Sequence, residues 1–141
     1  MLSYLPDNHL ISLHQHGFLA KHSTCTQLLE TVNDWSIILL NCNVVDVRYF
    51  DFSKAFDTVS RTELVYKLHA YGFDGELLAF INDFITGRSQ KVVLPNGHSP
   101  FMSVLSGVQQ GSVLGPLLFL LFINDITDLS RAFQLNALLM T

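Results

Sequence analysis

An α+β fold is what this sequence predicts, and three observations predict it. Apolar residues recur at helical intervals over residues 25–40 (Leu28, Leu29, Val32, Trp35, Ile38, Leu39). A β-branched and aromatic run, almost continuous in apolarity, follows over 44–52. Two further segments, 90–94 and 101–105, flank Pro95-Asn96-Gly97-His98, which reads as a hairpin with Asn-Gly as its turn. Helical and strand patterns therefore come in blocks, giving one central strand, one hairpin and four to five helices.

In chain order, residues 8–16 suggest a short helix and 17–22 a loop. Thr24 and Gln27 have capping-box spacing at the head of the helix at 25–40, and Asn41-Cys42-Asn43 ends it. The run over 44–52 reads as a strand buried on both faces. Ser60 and Glu63 repeat the capping-box spacing before Leu64, Leu68 and Tyr71, and Gly72 stops that helix. Asp74 can cap the next helix, with Leu77, Leu78, Phe80, Ile81 and Phe84 inward and Gly87 beyond its end. Residues 106–111 form a tight loop, and 116–125 a buried helix with Pro116 in its first turn. From Ser130 onward the pattern fits strand and helix equally.

The 141 residues are one domain's length, and 49% hydrophobic content with eleven Phe supports a core and argues against disorder. Eight Lys and Arg stand against twelve Asp and Glu, a formal charge of −4. Phosphate contacts supply much of nucleic-acid affinity, so this balance counts against the chain binding nucleic acid unaided. Cys25 and Cys42 make no metal or disulfide pattern, which suits a reduced, intracellular setting. The N-terminus lacks the regions of a signal peptide. The longest apolar run, 117–123, is too short for a membrane span, so no membrane partner is expected. His9, His14, His16 and His22 lie close in sequence, yet their spacing fits no standard zinc motif.

The chemistry concentrates in Tyr49-Phe50-Asp51-Phe52-Ser53-Lys54-Ala55-Phe56-Asp57-Thr58-Val59-Ser60. A carboxylate at the end of a strand, followed by a small turn with a lysine, is a way to hold Mg²⁺ beside substrate phosphates. Lys54 can meet phosphate oxygens as a point charge, or be a solvated turn residue. Ala55 leaves backbone N–H groups accessible to an anion. Asp57 reads as a residue ordering the turn.

Four blocks in order carry a resemblance: Gln15-His16-Gly17-Phe18 with His22-Ser23-Thr24; Phe50 through Ser60; the run Ser106-Gly107-Val108-Gln109-Gln110-Gly111-Ser112-Val113-Leu114-Gly115-Pro116-Leu117-Leu118-Phe119; and Ile123-Asn124-Asp125. Together they resemble the reverse transcriptase of non-LTR retrotransposons of the Jockey and chicken-repeat type. The resemblance implies a partial right-handed polymerase, with about 1–43 and 87–106 fingers-like and about 44–86 and 107–141 palm-like. It implies an RNA or DNA template-primer and deoxynucleoside triphosphates as partners, and two Mg²⁺ ions as cofactor. Asp51 matches the first metal-binding aspartate, with the Phe52 carbonyl as a further ligand. Phe56 matches the aromatic beneath the sugar, which selects deoxynucleotides by a clash with a 2′-hydroxyl. Gln110 and Gly111 match the loop pressing on the incoming nucleotide, and Lys21 is the one clear cation of the fingers segment. Arg88 and Lys91 flank the hairpin within reach of a template backbone, or are simply solvated. Asn124-Asp125 is chiefly structural in the family.

The family's aromatic-Ala-Asp-Asp block is expected soon after Asp125, but no Asp follows Asp128. A truncated domain, inactive alone, is therefore expected. A non-catalytic nucleic-acid- or protein-binding remnant and a decayed insertion without function are the alternatives.

Overall fold

The computed structural model describes residues 4–8, 10–12, 15–19 and 22–129. Expectations for Lys21 and for the tail from Ser130 lie outside the described residues. The described fold is α+β, with helices α1 (Tyr4–Asp7), α2 (Thr24–Leu40), α3 (Arg61–Ala70), α4 (Gly75–Ile85) and α5 (Leu114–Ile123), the last continuing into a 3-10 stretch, Asn124–Leu129. Four two-residue strands, β1 (Ser89–Gln90), β2 (Val93–Leu94), β3 (Gly97–His98) and β4 (Met102–Ser103), pair antiparallel as β1–β4 and β2–β3. The chain divides into two compact units, Met1–Ser53 with Ile123–Thr141, and Lys54–Phe122.

In the first unit, α1 stops after one turn. Both the backbone N–H and the side-chain amide of Asn8 donate to the Tyr4 carbonyl, and the Leu10 N–H donates to Leu5. An Asn that bonds the preceding turn competes with helix propagation. No helix therefore forms among the described residues of 8–16, contrary to the pattern there. Asn124 instead clamps this segment: its Oδ1 accepts from the Ser12 N–H at 2.9 Å and its Nδ2 donates to the Leu10 carbonyl at 2.8 Å. Helix α2 has the expected extent, but its cap is Ser23, one residue earlier than the Thr24–Gln27 spacing suggests. Ser23 Oγ accepts from the Thr26 N–H, and Thr26 Oγ1 accepts from the Ser23 N–H. The helix ends in a Schellman motif: Asn43 N–H to Ile38 O and Cys42 N–H to Leu39 O, with Cys42 left-handed at φ 57°.

The strand expected over 44–52 does not form. Its residues are irregular, and Val44, Tyr49 and Phe50 are 79–87% exposed. Side-chain preference favours extended backbone, but a strand exists only when a neighbour completes its hydrogen-bond ladder. Among the described residues none lies alongside it.

The second unit holds most of the apolar core: Val59, Leu64, Leu68, Phe73, Ile81, Ile85, Val108 and residues 117–121 are buried. Ser60 caps α3 as expected, its hydroxyl accepting from the Glu63 N–H. Gly72, at φ 84°, ends α3 with Phe73 N–H bonded to Leu68 O and Gly72 N–H to His69 O. Asp74 heads α4 without a side-chain cap bond; its carboxylate sits 3.1 Å from His69 Nε2 instead. Leu77 and Phe80, expected inward, are exposed, while Ile81 and Ile85 are fully buried, so α4 presents a narrower apolar stripe than its composition suggests. The hairpin forms with a different turn. Val93 faces His98 and Leu94 faces Gly97, which makes Pro95-Asn96 the central pair. Pro fits the first central position and Gly the fourth position of a type I turn.

Candidate functional site

The turn at 54–58 is built by Lys54. Its left-handed backbone (φ 53°) lets its carbonyl accept from the N–H groups of both Asp57 (2.9 Å) and Thr58 (3.1 Å). Thr58 Oγ1 adds bonds to the Lys54 and Ala55 carbonyls. The N–H groups of Ala55 and Phe56 have no hydrogen-bond partner among the described residues. Lys54 is exposed, and Ala55 and Phe56 are half-buried.

The loop at 106–108 grips this turn and the residue after it through two main-chain N–H groups and one side-chain hydroxyl. Val108 N–H donates to Phe56 O at 2.9 Å, Gly107 N–H to Val59 O at 2.8 Å, and Ser106 Oγ to Asp57 O at 2.7 Å. Position 107 admits only glycine, because its φ is 84° and a Cβ there would lie 2.7 Å from both Asp57 Cα and Phe56 O. Two guanidinium groups brace the loop from behind. Arg61 Nη2 donates to Ser106 O at 3.2 Å and Arg88 Nη2 to Gly107 O at 2.6 Å. Burial, and then the repulsion of Arg88, lowers the Arg61 pKa from its ordinary value. The Phe56 ring stacks on Phe119 of α5, centroids 4.7 Å apart at 22°. One face of Phe56 is thus fixed by the core, while the residue as a whole stays half-buried.

The same loop runs on to Gln110 and Gly111, both exposed, with Gly111 left-handed at φ 78°. Ser112 Oγ donates to Gln109 O at 2.7 Å and accepts from the Gly115 N–H at 2.9 Å, fixing the loop to the start of α5. Lys54, Ala55, Phe56, Gln110 and Gly111 therefore stand on two segments joined by hydrogen bonds within one unit. Asp51 and Phe52 belong to the other unit; both are exposed, and Asp51 stands in irregular chain rather than at a strand end. Lys21 lies outside the described residues. Arg88 turns to the loop carbonyl, which its reading as a template contact or a solvated charge did not foresee. Ser106, Gly107, Arg61 and Arg88 carry the grip and went unassigned in that role. The Ser106-Gly107 pair, a hydroxyl beside a glycine before an apolar residue, is the sequence feature that could have signalled a close backbone approach.

A family model described as reverse transcriptase (RNA-dependent DNA polymerase) matches residues 2–139. The chain belongs to this family. It is 32% identical over 112 residues to the RNA-directed DNA polymerase from mobile element jockey of Drosophila melanogaster, covering 79% of this chain and 12% of that protein. The jockey polymerase of Drosophila funebris is 33% identical over 114 residues, 81% of this chain and 12% of its own length. The Pol polyprotein from type-1 retrotransposable element R2 of Popillia japonica is 32% identical over 84 residues, 60% of this chain and 13% of its own. The chain thus spans 12–13% of the length of these relatives. No solved structure matches it. The non-LTR type of the reverse transcriptase family, read from four sequence blocks, is thereby borne out.

The family's ion can be tested against the residues present. Asp51 offers one exposed carboxylate and Phe52 one backbone carbonyl. Among the described residues no group of three or more His, Cys, Asp or Glu converges to hold a metal. Mg²⁺ bound with substrate phosphates needs one or two carboxylates, whereas two closely spaced ions need more. The described residues do not fit a two-ion centre. No helix among the described residues is long and apolar enough to cross a membrane.

Proposed function

We propose that this chain is the nucleotide-facing part of an RNA-directed DNA polymerase of a non-LTR retrotransposon, with about 1–43 and 87–106 acting as fingers and about 44–86 and 107–141 as palm. The reading rests on one observation above others: the hydrogen-bonded grip of residues 106–108 on the turn at 54–59, which couples Phe56 to the Gln110-Gly111 loop. Coupled segments hold a substrate more rigidly than independent loops. The sugar of a deoxynucleoside triphosphate lies over the open part of Phe56, and a 2′-hydroxyl meets the ring. The free N–H groups of Ala55 and Phe56, with the Lys54 ammonium, face the triphosphate. Gln110 offers an amide to the sugar, and Gly111 lets the backbone approach the template. Mg²⁺, when bound, supplies charge neutralisation, and Asp51 with the Phe52 carbonyl is this chain's share of its ligands.

By this reading the chain acts on an RNA or DNA template-primer only as part of a larger polymerase, and is inactive alone. A chimera tests it: these residues replace the corresponding segment of a jockey-type polymerase, and extension of oligo(dT) on poly(rA) is measured. The chimera extends the primer and the isolated chain does not, and Asp51→Ala abolishes extension while leaving the fold intact. Undiminished extension by the Asp51→Ala chimera rejects the assignment.

A further inference from the structure

Two consecutive peptide units of the loop at 106–108 are each held at both ends. In the first, Arg61 Nη2 donates to the Ser106 carbonyl at 3.2 Å while the Gly107 N–H donates to Val59 O at 2.8 Å. In the second, Arg88 Nη2 donates to the Gly107 carbonyl at 2.6 Å while the Val108 N–H donates to Phe56 O at 2.9 Å. A cation on a peptide carbonyl polarises the unit and strengthens the bond that its N–H donates. Arg61 therefore strengthens the tie to Val59, just before the Ser60 cap of α3. Arg88 strengthens the tie to Phe56 itself, and its bond is the shorter and the less exposed of the two. Arg88 is also anchored. Its Nε donates at 3.2 Å to the carbonyl of Ile85, the last residue of α4, where a cation offsets the helix dipole. Its own carbonyl accepts from the Val104 N–H at 2.9 Å, next to the β1–β4 pair. One planar fork thus spans from the end of α4 to the peptide that bonds Phe56, a reach that a single ammonium does not have.

We propose that Arg88 is a positioning residue for the choice of sugar: it fixes the Gly107–Val108 peptide and, through it, the backbone that carries the Phe56 ring. The inference rests on the reading that Phe56 meets the sugar of the incoming nucleotide. Arg88 acts through Phe56 rather than on the substrate. Phe119 supports the ring, 4.7 Å between centroids, and the Val108 bond supports its backbone. Selection by a clash is steep in distance, since a misplacement of about 1 Å changes such rates by up to about 10²-fold. Without the Arg88 bond the Phe56 backbone relaxes and a 2′-hydroxyl is admitted. A deoxynucleotide has no hydroxyl to place there, so its incorporation changes less. Arg61 is the internal control, because it makes the same kind of bond but its peptide ends on Val59. Sequence showed only a charge beside a hairpin; the partner of its fork lies 19 residues further along the chain.

The test uses the jockey-type chimera and compares kcat/KM for deoxynucleotide and ribonucleotide incorporation. Arg88→Gln and Arg88→Lys each lower the ratio at least about fivefold, chiefly because ribonucleotide incorporation rises. Arg88→Lys keeps the positive charge, so a loss there reports position rather than field. Arg61→Gln lowers the urea midpoint of the 141-residue chain but leaves the ratio within about twofold. In a Phe56→Ala background, Arg88→Gln changes the ratio no further, as residues acting through one contact require. Unchanged discrimination in a folded, active Arg88 variant overturns the proposal. An equal loss with Arg61→Gln overturns it too, because both arginines are then general supports of the loop. Failure of both Arg88 variants to fold, checked by circular dichroism, makes Arg88 a residue of the fold alone and has the same consequence. Undiminished discrimination in Phe56→Ala by itself rejects instead the underlying reading of Phe56.

Discussion

A Cβ at position 107 would meet backbone atoms of Phe56 and Asp57, which cannot step aside as a flexible side chain can. Left-handed backbone adds its own cost for any L-residue. Gly107→Ala therefore destabilises the chain by about 2–5 kcal/mol, read as a lowered urea midpoint at unchanged m. Lys54 and Cys42 pose the opposite case, because both are non-glycine residues with positive φ. Lys54→Gly and Cys42→Gly each stabilise by about 0.5–1 kcal/mol, the left-handed penalty relieved less the entropy of a glycine. The two differ in function: in the chimera Lys54→Gly raises the KM for nucleotide, whereas Cys42→Gly leaves it unchanged. That split separates strain retained at a site from strain at a helix end.

The helices show which parts of the fold were legible in sequence. Caps and stops act within a few residues, so Ser60, Gly72 and the extent of α2 could be read directly. The inward side of a helix depends on what packs against it, and there the reading failed: Leu28, Leu29 and Val32 of α2 are 52–66% exposed, while Gln27 is buried. Leu29→Glu thus changes stability by less than about 0.5 kcal/mol, whereas Leu118→Ala in α5, fully buried, costs about 2–5 kcal/mol. Paired urea titrations check both. The run over 44–52 failed as a strand for a related reason, since its ladder must come from elsewhere in the chain. The hairpin was legible, but its turn moved by one residue because Pro95 fixes the first central position.

Across the molecule, apolar side chains stay in water on α2, the run over 44–52, the hairpin and the loop before α5, where Val113 is 93% exposed. Such surface favours self-association. Sedimentation velocity detects concentration-dependent association that Leu29→Glu reduces. Of the candidate site, Lys54, Ala55, Phe56, Gln110 and Gly111 could be proposed from the sequence because each lies in a contiguous motif. The grip between their segments was not, because it joins Ser106 to Asp57 across 49 residues. The central claim is that this grip presents Phe56 to the sugar of an incoming nucleotide. The most direct measurement is the ratio of deoxynucleotide to ribonucleotide incorporation by the chimera with Phe56→Ala. The account predicts that discrimination falls at least about tenfold while deoxynucleotide extension persists; unchanged discrimination in a folded, active variant would contradict it and leave Phe56 as a core residue alone.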